Sequence, residues 1–355
     1  MLRSSKPEVV VITGASAGVG RATAREFGRR GAHVGLLARG PDALEATCRE
    51  IEQLGGKALG APTDVAFDDQ VEAAAEQVEQ CFGPIDIWIN CAMTSVFSPF
   101  EQMTPDEFKR VIDVTFMGQV YGTMAALKRM SPRNRGTIVQ VGSALVYRSI
   151  PLQSAYCAAK AAVRGFTDSL RTELLHQKSR VHLTMVQLPG LNTPQFDWSK
   201  SRMPHRAQPV PPIYQPEVAA DAIVWAAHHR RREVWVGRPS LKAIVGAKVA
   251  PAIGDWVLSR EGYSAQQTPE PEDPDREYNL WEPLPGDHGA HGRFDRRATS
   301  FSPQWWLDKH RGLIALAAGT AGVTWAVFCA AKERRHLPPT AAKPRVPSPV
   351  RRGRG

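Results

Sequence analysis

The apolar run Val9-Val10-Val11-Ile12 passes directly into Thr13-Gly14-Ala15-Ser16-Ala17-Gly18-Val19-Gly20, and an amphipathic helical pattern follows. A strand that turns this tightly into a helix constrains the fold more than any other feature of the chain. Glycine has no Cβ, so its backbone reaches conformations and close approaches that other residues cannot. The same freedom lets the backbone come up against an anion, which rests on the first helical N–H groups at the positive end of the helix dipole. Glycines at this spacing predict a cradle for the pyrophosphate of a dinucleotide.

Short runs rich in Val and Ile recur at Val9–Thr13, His33–Ala38, Asp86–Asn90, Thr137–Val141, Val181–Leu188 and Glu233–Gly237. Their nearly continuous apolarity suits parallel strands buried on both faces. Helical patterns lie near 18–30, 41–54, 68–82, 106–130, 154–178 and 216–229. Thr104-Pro105-Asp106-Glu107 is a capping box with proline at the first helical position. The alternation predicts an α/β class protein: a doubly wound parallel sheet (Rossmann fold) over residues 1–238, with ligands beyond the carboxyl ends of the strands.

Past Gly237 the pattern decays. Residues 239–264 predict an additional helical segment and 265–311 an extended arm rich in Pro and charge. Residues 312–331 are uncharged throughout, and 332–355 are a basic tail expected to be disordered. The tail holds eight Lys/Arg against Glu333, a net +7 out of the formal +10 of the chain. The body is therefore close to neutral, as suits a small-molecule substrate, and the tail has no interleaved aromatics or module for nucleic acid. As a helix, Gly312–Ala331 would be about 30 Å long, enough to cross a bilayer core. A membrane anchor or membrane-lying helix is the first expectation there, and a packed or oligomer-contact helix the second. The five scattered cysteines include no Cys-x-x-Cys pair, and Met1–Pro7 has no signal-peptide pattern. No metal site is expected, and the predicted location is cytoplasmic, with membrane association through the C-terminal segment as the variant.

Ser143 follows the fifth strand, and thirteen residues later comes Tyr156-Cys157-Ala158-Ala159-Lys160. Positions i and i+4 share a helix face, so the phenol and the ammonium are neighbours. A cation there is expected to stabilise the phenolate and draw its pKa down toward neutrality, where Tyr156 serves as general acid/base. Ser143 would hold the substrate oxygen.

At the end of the second strand stands Arg39, in Leu37-Ala38-Arg39-Gly40, with no carboxylate to grip adenosine ribose hydroxyls. An arginine there can pair with a ribose 2′-phosphate, which favours NADP(H) over NAD(H); a solvated loop arginine is the plainer alternative. Asp64, in Pro62-Thr63-Asp64-Val65 after the third strand, is placed either to bond adenine or to cap the helix at 68–82.

With the glycine turn, Ser143 and Tyr156-x-x-x-Lys160 together, residues 8–238 resemble the short-chain dehydrogenase/reductase family. The resemblance implies hydride transfer between NADP(H) and a carbonyl or secondary alcohol, with Ser143, Tyr156 and Lys160 catalytic. It implies cofactor contacts from Thr13, Gly14, Ser16, Gly18, Val19, Gly20, Arg39, Asp64, Val65, Asn90, Ala92, Tyr156 and Lys160. Pro189, Gly190 and Thr193 join them in a turn like that of the family. Where the family reads Asn-Asn-Ala-Gly, this chain has Asn90-Cys91-Ala92-Met93. Thr115 stands where the family has a helix asparagine that holds a relay water, a role the Thr115 hydroxyl would take in a different geometry. The family's lid falls at about 189–215, where Leu145, Tyr147, Leu191, Phe196 and Trp198 would make an apolar substrate pocket. A homo-oligomer is also implied. Thr115, Met93 and the C-terminal extension motivate one other reading, a weak or inactive NADP(H)-binding sensor or scaffold at a membrane.

Overall fold

The computed structural model describes residues 6–314, 320 and 323–325. Strands β1 (Val9–Thr13), β2 (His33–Ala38), β3 (Lys57–Pro62), β4 (Ile87–Asn90), β5 (Thr137–Ser143), β6 (His182–Leu188) and β7 (Glu233–Trp235) form one sheet. Its order is β7-β6-β5-β4-β1-β2-β3, and every neighbouring pair is parallel. The doubly wound sheet predicted from the alternating pattern is therefore present. Strand order reverses beside β1, whose neighbours are β2 and β4, and such a switch point opens a crevice at the carboxyl ends of the strands.

Side chains alternate across a strand, and here both faces are apolar. Val10 and Ile12 enter one core with α1 (Gly18–Gly28), α2 (Pro41–Gln53) and α7 (Pro216–His228). Val9 and Val11 enter the other with α3 (Asp68–Phe82), α5 (Gly118–Met130) and the far end of α6 (Ser154–His176). The capping box opens α4 (Pro105–Ile112): Thr104 Oγ1 accepts from Glu107 N at 3.3 Å, and Thr104 N donates to Glu107 Oε2 at 2.9 Å.

Three segments differ from expectation. The helix read as 106–130 is interrupted by a π-helical turn at Asp113–Met117, between α4 and α5. The segment after Gly237 forms two helices, α8 (Gly237–Val249) and α9 (Pro251–Glu261), with Pro251 opening the second. The arm does not run free: Leu280, Ala290 and Phe294 are buried, and the chain through Trp305 makes one compact unit. The segment from Trp306 is a separate unit. Most of 312–331 and all of 332–355 lie outside the described residues, among which no helix is long and apolar enough to cross a membrane.

Candidate active site

The glycine turn is built where β1 meets α1. Gly14 has φ +68°, and a Cβ on it would stand 2.7 Å from Ala92 Cα. A Cβ on Gly20 would run into the Gly14 carbonyl oxygen, so the turn admits no side chain at either place. Gly14 N donates to Leu37 O at 2.7 Å, fastening the turn to β2. Ala17, at the N-cap of α1, offers no side-chain acceptor, and the first turn carries no acidic residue. This helix start can meet an anion without displacing a carboxylate.

Beyond the turn lies a cavity of about 310 Å³ at the carboxyl ends of the strands. Gly14, Ser16, Gly18, Val19, Gly20, Arg39, Asp64, Val65 and Ala92 line it, together with Ser143, Tyr156, Lys160, Pro189, Gly190 and Thr193. Thr13 and Asn90 stand behind the wall. Thr13 Oγ1 accepts from Cys91 N and Ala92 N at 3.0 and 3.1 Å, holding the end of β4 against the turn. Asn90 Oδ1 accepts from Trp88 Nε1 at 2.8 Å, while its Nδ2 donates to Gln140 Oε1 at 3.0 Å and Thr123 Oγ1 at 3.1 Å. Both are supports for the site.

Ser143 ends β5 and accepts from Leu145 N at 3.2 Å through its hydroxyl. One turn of α6 brings Lys160 Nζ to 5.8 Å from the centre of the Tyr156 ring. The expected fall in the Tyr156 pKa is not what this arrangement produces. Burial pushes the phenol above its ordinary range, with the Ser143 hydroxyl opposing that rise. Burial acts on Lys160 the opposite way and lowers it to about 8. Its ammonium donates to Val141 O at 2.7 Å. Cys91 is buried alongside, and desolvation raises its thiol to about 11, so it faces the lysine uncharged near neutral pH.

Two predicted residues lie elsewhere. Thr115 sits in the π turn, where its hydroxyl donates to Thr94 O at 2.9 Å and accepts from Thr94 N at 3.0 Å. It is buried away from the cavity and clamps a backbone segment whose Thr94 does line it. Tyr147 also misses the cavity. A 3₁₀ turn at Ala144–Val146 swings it toward the β7 edge, where its hydroxyl donates to Glu233 at 2.7 Å and Arg164 lies over its ring. Leu145, Leu191, Phe196 and Trp198 do line the cavity, joined by Ile150, Leu188 and Val210.

Asp64 is not a helix cap. The N-cap of α3 is Phe67, and Asp64 pairs with Arg110 at 2.5 Å, while Arg110 Nε reaches Leu280 O at 3.0 Å. Arg39 is half-buried and donates to Asn279 O at 2.5 Å and Trp281 O at 2.7 Å, using two of its five donors. The alternative of a solvated loop arginine does not hold. The arm thus enters the wall of the cavity through Asn279, Pro283, Leu284 and His288. Sequence reasoning missed these four, since an irregular Pro-Gly segment has no periodicity to mark an inner face; the cluster Gly286-Asp287-His288-Gly289 was the one available hint.

The donor set suits an anionic dinucleotide: a cradle closed to any Cβ, a helix start with no side-chain cap and a cation at the end of β2 with no carboxylate beside it on that strand. A family model described as short chain dehydrogenase matches residues 8–203. The uncharacterized oxidoreductase YxnA of Bacillus subtilis is 33% identical over 92% of this chain and 91% of its own length. A fatty acyl-CoA reductase of Acinetobacter baylyi is 31% identical, covering 72% of this chain and 84% of that protein. A metagenomic short-chain oxidoreductase solved in complex with NADP superposes with a TM-score of 0.55 at 28% identity, over 65% of this chain and 96% of that one. Sheet order, glycine turn and these matches agree, and the chain belongs to the short-chain dehydrogenase family of oxidoreductases.

Proposed function

We propose that the chain interconverts a lipophilic carbonyl compound and its secondary alcohol with NADP(H) as cofactor. The observation that carries this reading is that Ser143, Tyr156 and Lys160 open onto the same cavity as the Gly14–Gly20 turn. NADPH, when bound, supplies the hydride. The chain supplies everything else. Ser143 Oγ holds the substrate oxygen and stabilises charge that develops on it. Tyr156 donates its proton to that oxygen, and burial keeps the phenol protonated at neutral pH until it does. Lys160 stands beside the resulting phenolate and, titrating near 8, is matched to return a proton to it. The Val141 carbonyl fixes Nζ in place for that exchange. Arg39, with donors to spare, selects the ribose 2′-phosphate. The NADP complex of the metagenomic relative supports the same cofactor.

The walls set by Leu145, Leu188, Leu191, Phe196 and Trp198 favour a long apolar substrate. The similarity to a fatty acyl-CoA reductase points the same way. The test is a panel of aldehydes, ketones and secondary alcohols graded in chain length and followed by NADPH fluorescence. Cofactor consumption or formation should rise with chain length; an enzyme that binds NADPH and turns over no member of the panel contradicts the proposal.

A further inference from the structure

The arm lines the cavity through Asn279, Pro283, Leu284 and His288 and is bonded to the glycine turn. Gly289 O accepts from Gly18 N at 3.2 Å. Asp287 pairs with Arg21 of α1, a guanidinium that is 2% exposed and also bonded to Glu50. Gly286 N donates to Asp42 Oδ2 at 3.1 Å, and Arg39 holds the carbonyls of Asn279 and Trp281. These tethers fix an irregular stretch in one position over the start of α1.

His288 lies between two of the tethered residues and lines the cavity. Its ring meets Trp198 edge-on, at 4.9 Å between centroids and 88° between planes. Nε2 is shielded from solvent yet has no hydrogen-bond partner among the described residues. A buried ring nitrogen left unpaired is costly, and native structures seldom keep one without a partner to meet it. Gly289 meanwhile takes up one N–H of the turn, Gly18 N, so the arm removes one donor from the anion cradle, and His288, the residue before it, lines the same cavity.

We infer that the arm completes the dinucleotide site and that His288 is a cofactor-binding residue, its Nε2–H donating to the pyrophosphate. The inference rests on the NADP(H) reading above and adds to it a contact that the first 238 residues do not contain.

Wild type, His288→Leu and His288→Gln are titrated with NADPH and with adenosine 2′-monophosphate, which has no pyrophosphate. The Leu variant should bind NADPH about tenfold more weakly or worse, the loss of one hydrogen bond to a charged group. Its affinity for adenosine 2′-monophosphate should be unchanged, which also shows that the fold and the arm are intact. Glutamine, which places an amide N–H near the same point, should recover most of the NADPH affinity. Unchanged NADPH binding by His288→Leu overturns the inference, as does an equal loss of both ligands. Wild type that binds neither ligand instead refutes the NADP(H) reading itself.

Discussion

Lys160 donates from Nζ to the main-chain carbonyl of Val141 at 2.7 Å. A neutral oxygen compensates poorly for lost hydration, and burial brings the ammonium down to about 8. A lysine whose folded pKa lies this low is charged below about pH 8 and neutral above it. Only the charged form can return a proton to Tyr156. The kcat/KM for carbonyl reduction should therefore fall as pH rises through about 8, and Lys160→Met should remove that limb together with most of the rate. A reductive profile flat from pH 7 to well above 9 would contradict the assignment.

Arg39 lines the cavity while donating to two carbonyls of the arm. Arg39→Ala should weaken NADPH by about tenfold to a hundredfold, the range for a charge-assisted pair. NADH should be affected far less, because it has no 2′-phosphate. Thermal-shift titrations with both cofactors check this, and equal losses would assign Arg39 to the arm alone.

Thr115 satisfies both the N–H and the C=O of Thr94. Thr115→Val keeps the shape and leaves these groups unpaired, so it should cost about 1–3 kcal/mol of stability. Thr115→Ser should be close to wild type. Denaturant unfolding measures the difference, and a fully stable valine variant would show that the clamp is unimportant.

Glu107 is buried where α4 meets the segment after Trp198. Burial alone would raise its pKa, but Arg202 and Lys200, each at 2.8 Å, and the Thr104 N–H bring it to about 2. A carboxylate depressed in the folded state stabilises above its ordinary pKa, and that contribution disappears as pH falls through the depressed value. Glu107→Gln should therefore melt below wild type at pH 7, with a gap that narrows steadily from about pH 4.5 toward pH 2. A gap independent of pH would show that the ion pairs do not stabilise the fold.

How much of this was legible in the sequence depended on periodicity. Six strands announced themselves as Val/Ile runs: five are central and covered on both faces, and Glu233–Trp235, at one edge, keeps Val234 buried. Lys57–Pro62 has no such run and is implied only as the strand before Asp64, since at the other sheet edge only Ala61 of its six residues is buried. The glycine turn and the Thr104–Glu107 capping box were readable because backbone geometry demands those residue types. Tyr147 was misplaced because the chain leaves the strand through a 3₁₀ turn, and the register of β5 no longer governs direction. The downward pKa shift expected for Tyr156 is not found because spacing reveals a neighbouring cation but not the burial that raises the phenol. The inward contacts of the arm were not legible because its polar residues suggest solvation. Arg276 and Arg293 in fact reach inward to carbonyl oxygens of the 196–207 segment, and such pairing leaves no trace in composition.

Tyr156 as the proton donor beside bound NADP(H) is tested most directly by Tyr156→Phe, with NADPH binding and substrate-dependent NADPH oxidation measured on the same preparation. The prediction is an unchanged Kd for NADPH and a fall in turnover of about 10²-fold to 10⁴-fold. Near-normal turnover by the phenylalanine variant would contradict it.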